Sequence, residues 1–105
     1  MSRPTPPGGI PPSVLRMKPV KNLSLRLLKR QRYVGVSVYS DVNTVLEFTI
    51  ERGGVVVISR TKRVPAGASR INIPMPRREI KRGRYRVSVR ATNADLEAVR
   101  KFRVR

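Results

Sequence analysis

Gly83-Arg84-Tyr85-Arg86-Val87-Ser88-Val89-Arg90-Ala91-Thr92 is the stretch on which the fold turns. In an extended chain, Tyr85, Val87, Val89 and Ala91 fall on one side, and Arg84, Arg86, Ser88 and Arg90 on the other. Side chains alternate across a strand with period 2, so this pattern predicts a strand with one face in a core and one in water. The outer face is rich in arginine, in a chain of 105 residues with a formal net charge of +18. One segment thus points to an antiparallel β fold and to a polyanionic partner.

Similar runs lie to either side. Leu23, Leu25 and Leu27 alternate and predict a first strand, followed by the basic Lys29-Arg30-Gln31-Arg32. Val34, Val36 and Val38 mark a second, and Leu46, Phe48 and Ile50 the apolar face of a third beyond the turn Asp41-Val42-Asn43. Gly53-Gly54 reads as a hairpin turn into Val55-Val56-Val57-Ile58. Pro65-Ala66-Gly67 breaks that strand, and Ile71 and Ile73 mark a short one before Pro74 and Pro76. After the Arg-stitched strand, Asn93-Ala94-Asp95 turns the chain into a last strand. It has Phe102 and Val104 inward and Lys101, Arg103 and Arg105 outward. About seven short strands without a useful helical period predict an all-β, two-sheet antiparallel sandwich. A short helix near Arg78–Arg82 is compatible with this plan but not required by it.

The expected division is a Pro/Gly-rich arm or linker over residues 1–19 and one sandwich domain over residues 20–105. The proline content of the first part favours extended, polyproline-like chain. It serves either as a plain spacer or as an arm laid on a neighbouring molecule through Pro6, Pro7 and Ile10. No run approaches the roughly 18 apolar residues that cross a bilayer. Prolines and glycines stand where a signal peptide needs an apolar segment, so none is expected.

Cysteine and histidine are both absent. Their absence removes disulfides, thiolate metal sites, Cys–His pairs and Ser–His–Asp triads from consideration. The carboxylates are Asp41, Glu47, Glu51, Glu79, Asp95 and Glu97. Asp41 and Asp95 sit in expected turns, where such side chains bond to backbone N–H groups. Glu47 and Glu51 fall on the outward face of a strand, within reach of cross-strand arginines. No convergent pair suited to acid–base work is visible, and no cofactor is implied. The expectation is a protein that is not an enzyme.

Charge offers the stronger lead. One reading of the skew is a coding bias toward arginine, proline, glycine and valine, which requires no partner. Yet +18 lies far above the magnitude of about 2–8 usual for a small soluble domain. If the last two long strands pair, Arg84, Arg86 and Arg90 stand beside Lys101, Arg103 and Arg105. Like charges opposite each other in a sheet are destabilising, so this face needs free exposure or an anionic counterpart. Arg77-Arg78 and Lys81-Arg82 lie at one end of that hairpin, and Lys29-Arg30-Gln31-Arg32 extends the patch. Sequence-nonspecific nucleic-acid binding through these arginines is the alternative to an acidic polymer or protein. Against it stands the lack of aromatic interleaving: of Tyr33, Tyr39, Phe48, Tyr85 and Phe102 at least three read as core, and no stacking-platform pattern is visible.

A protein contact is expected at Val55, Val56, Val57 and Ile58, because a sandwich strand buries only one face. A two-residue Gly53-Gly54 loop leaves Val56 and Ile58 outside; a three-residue loop with a bulge leaves Val55 and Val57 outside. Either pair on an edge strand can accept another chain, a homo-oligomer partner included. The alternative is that Val14-Leu15 or Val20 folds back over them.

Leu23-Ser24-Leu25-Arg26, Gln31-Arg32 and Gly35-Val36-Ser37-Val38 resemble the opening of immunoglobulin-like (fibronectin-III-like) modules of bacterial surface and phage-particle proteins. Pro65-Ala66-Gly67, Gly83-Arg84-Tyr85-Arg86-Val87 and Ala91-Thr92-Asn93-Ala94-Asp95 resemble their second half. The likeness spans Leu23 to Arg105 and leaves the proline arm outside. A cysteine pair often found near the turn at Asp41–Asn43 is missing, as is a glycine after Asp95. The resemblance implies a non-enzymatic spacer, adhesion or decoration module, extracellular or on a virion. For Tyr85 the sandwich predicts a ring in the core and a hydroxyl bonded to backbone at the sheet corner.

Overall fold

The protein is described by a computed structural model covering residues 11–105. Strands β1 (Leu15–Met17), β2 (Tyr33–Ser40) and β5 (Gly67–Pro74) form one sheet in the order β1-β2-β5. Strands β3 (Thr44–Arg52), β4 (Val55–Val64), β6 (Gly83–Ala91) and β7 (Glu97–Val104) form the other, in the order β4-β3-β6-β7. Every strand pair is antiparallel. The two sheets face each other across one core, giving the two-sheet antiparallel β-sandwich that the alternating pattern predicts.

Period 2 decides which residues fill that core. Val34, Val36 and Val38 of β2 and Ile73 of β5 meet Leu46, Phe48 and Ile50 of β3 and Val87 and Val89 of β6. Tyr85 and Phe102 are register partners on β6 and β7, and their rings stack with centroids 5.3 Å apart. Fully burying a side chain of this size contributes roughly 1.5–3 kcal/mol, so this alternation is the main source of stability.

The structure corrects the reading of the first strand. Leu25–Gln31 is an α-helix, α1, and Leu23 makes only an isolated parallel bridge to Val104. Ser24 caps α1, its hydroxyl accepting from the Leu27 N–H at 3.1 Å. Arg32 ends it in the left-handed region, φ 61°, with its N–H on the Leu28 carbonyl. Leu28 is fully buried and plugs the end of the sandwich where β2 begins. The short helix near Arg78–Arg82 is a single 3-10 turn, Arg77–Glu79.

The first strand of the sheet is instead β1, inside the stretch read as arm. It pairs Leu15 with Ser40 and Met17 with Val38, and Met17 is buried. Asp41 anchors its approach by accepting from the Ser13 and Val14 N–H groups at 3.0 and 3.1 Å. Pro6, Pro7 and Ile10 lie outside the described residues.

Among the described residues, no helix is long and apolar enough to cross a membrane.

Candidate polyanion-binding end

Chain direction sorts the charges. The starts of β2, β4 and β6 and the ends of β3, β5 and β7 all lie at one end of the sandwich. The basic tail of α1, the Gly53-Gly54 hairpin, the loop from Met75 to Arg82 and Arg105 therefore gather there. The acids of that end are Glu51 and Glu79, whereas Asp41, Asp95 and Glu97 belong to the opposite end. A sequence with widely spaced basic doublets thus acquires one strongly basic pole.

The loop carrying Arg77, Arg78, Lys81 and Arg82 is held by a polar lock on the core. The Tyr85 hydroxyl donates to the Lys81 carbonyl at 2.6 Å and accepts from the Lys81 N–H at 3.2 Å. Arg52 donates to the Glu79 carbonyl at 2.9 Å and pairs with its carboxylate at 3.2 Å. The Arg52 guanidinium carbon stands 6.0 Å from the Tyr85 ring centroid, within cation–π range. The neighbouring Tyr85 hydroxyl raises the Arg52 pKa; burial opposes the rise and the Glu79 carboxylate adds to it. Glu79 is thereby engaged by Arg52, leaving the surrounding cations unopposed by it. The corner bond expected of Tyr85 is present.

Of the residues expected to form the patch, β6 and β7 bring most together. Arg84 stands directly opposite Arg103, and Arg86 opposite Lys101, on the outward face. Beside them a shallow hollow of about 230 Å³ is lined by Gly53, Gly54, Arg84, Arg86, Lys101 and Glu51. Arg90 is separated from this group. It lies toward the opposite end, opposite Glu97 in register, and pairs with Glu47 at 3.2 Å. The basic tail of α1 joins the pole through a helix that the sequence reading took for a strand.

The expected protein-contact strand is rearranged. β4 is an edge strand, and its hairpin pairs Arg52 with Val55 across Gly53-Gly54. A bulge at Val57 then shifts the register, so that Ile50 pairs with Ile58. Ile58 turns inward and is 8% exposed, whereas Val55 and Val56 are 67% and 55% exposed. Neither simple hairpin register predicts this pair, because a two-residue loop and a bulge occur together. Val14 and Leu15 do not cover it, since β1 borders β7 on the other side of the sandwich.

Among the described residues, no group of three or more Asp, Glu, His or Cys could hold a metal ion. The class defined by fold and site is an antiparallel β-sandwich with a basic pole. Compared with known proteins, the chain matches no family model and no curated protein.

Proposed function

We propose that this chain is a non-catalytic structural and binding module, of the kind that decorates a surface or particle. It holds an acidic polymer, or the acidic face of a protein, against its basic pole. The observation that carries this reading is the convergence of Arg77, Arg78, Lys81, Arg82, Arg84 and Arg103 around a loop locked onto the core. Directly opposed like charges on β6 and β7 cost stability in the free protein, and an anion laid across them relieves that cost. A field of one sign also speeds the encounter with an anionic partner.

The test is binding to immobilised polyglutamate by biolayer interferometry at low salt. Replacing Arg77 and Arg78 with alanine is expected to weaken binding at least roughly tenfold. An Arg60→Ala/Arg63→Ala protein, altered on β4 away from the pole, is expected to stay within about threefold of the parent. Equal losses in the two proteins would show that binding follows net charge alone and would end this reading.

A further inference from the structure

The outward face of the β1-β2-β5 sheet is chemically unlike that of its partner sheet. Among the described residues, its three strands contain no Asp or Glu. Cross-strand pairing sets Arg16, Tyr39 and Ala68 in one row. The next row brings Ser37 beside Arg70, and the Lys18 N–H bonds to the Ser37 carbonyl at 2.9 Å. Ser37 and Ala68 are small, so Arg16, Lys18 and Arg70 stand around a hollow beside Tyr39. That hollow is a groove of about 840 Å³ that also reaches Met17 and Arg100.

Two details give it the features of a stacking site. Tyr39 is 43% exposed although the strand around it fills the core, so its ring is offered to solvent. Arg70 lies across β2 at Gly35, where an added Cβ would come within 2.6 Å of its terminal nitrogen. Asp41, two residues beyond Tyr39, is already engaged by the Ser13 and Val14 amides.

We propose that this groove binds single-stranded nucleic acid, one base stacking on Tyr39 while Arg16, Lys18 and Arg70 take the flanking phosphates. A positively charged groove combined with an exposed aromatic on a sheet is the chemistry by which single strands are held without sequence preference. The sequence shows no interleaved aromatics, but the fold sets one exposed ring, Tyr39, among cations on this sheet. This site is independent of the basic pole, whose arginines have no exposed ring among them.

The experiment measures fluorescence anisotropy of a labelled oligothymidylate of about eight nucleotides, a length within one such site. Inorganic polyphosphate serves as the base-free anion. Tyr39→Ala is expected to weaken the oligonucleotide about tenfold while leaving polyphosphate within about twofold. Tyr39→Phe, which keeps the ring, is expected to restore binding to near the parent value. Arg16→Ala/Arg70→Ala is expected to weaken the oligonucleotide more than the alanine variant of Arg77 and Arg78 does. The proposal is overturned if Tyr39→Ala leaves oligonucleotide affinity within about twofold, or if it lowers both ligands equally. Loss of binding confined to the Arg77/Arg78 variant would likewise overturn it, by moving the nucleic acid to the pole.

Discussion

Tyr85 links the core to the surface loop that carries Arg77, Arg78, Lys81 and Arg82. Its ring stacks on Phe102, while its hydroxyl holds the Lys81 backbone and lies beside the Arg52–Glu79 pair. Removing the hydroxyl leaves the apolar contacts intact and strips hydrogen bonds from a part-buried carbonyl and N–H. Such a change costs about 1–3 kcal/mol. Tyr85→Phe is therefore expected to lower the urea midpoint with an unchanged m-value, and to weaken polyglutamate binding as the loop loosens. A variant with parental stability and parental affinity would show that the lock does not position the loop. The tyrosine's place beside Gly83 makes its role readable from sequence. The arrival of Arg52 and Glu79 beside it is not, because it depends on β3 and the Met75–Arg82 loop meeting at one corner.

At the scale of elements, legibility follows how strongly burial sets the phase of a strand. In β2, β3 and β6 one face is buried along most of the length, so a one-residue slip would expose a full row of apolar side chains. Alternation therefore reads correctly there. β4 begins with four consecutive aliphatics, which carry no phase, and the bulge at Val57 is set by pairing with β3. The Leu23–Leu27 region misleads for another reason. Leucines at alternate positions imitate period 2, yet Leu25-Arg26-Leu27-Leu28-Lys29-Arg30-Gln31 contains only good helix formers, preceded by a capping serine. Leu25 and Leu28, three apart, give the inward stripe. Two substitutions check this account by denaturant unfolding. Ser24→Ala removes one cap bond, an expected loss of about 1 kcal/mol. Leu28→Ala opens a cavity at the end of the core, an expected loss of about 2–5 kcal/mol. Similar small losses from both would mean that α1 is not a structural plug.

The whole molecule is polar in the electrical sense, because chain direction places basic loops at one end and Asp41, Asp95 and Glu97 at the other. The far end is stitched by neutral and acidic groups. Asp41 holds the Ser13 and Val14 amides, Asn43 accepts from the Ala66 N–H at 2.7 Å, and the Ser40 hydroxyl donates to the Val42 carbonyl at 2.7 Å. Asp41 is thus engaged in loop architecture, and on the proposed reading it is the basic end that meets a polyanion. With no histidine or cysteine in the chain, no side chain ordinarily titrates between about pH 6 and 8. Affinity for a strong-acid polyanion is therefore expected to be flat over that interval and steep in salt. For duplex DNA as a probe, neutralising about four phosphates predicts a fall of roughly a hundredfold between about 50 and 200 mM salt. Isothermal titrations at fixed salt and varied pH, then at fixed pH and varied salt, separate the two dependences. A marked pH dependence would require a titrating group displaced into this range, whereas the charge of the pole comes from arginine and lysine. A shallow salt dependence would mean that few of those cations touch the polymer, and would end the reading of the basic end as its site.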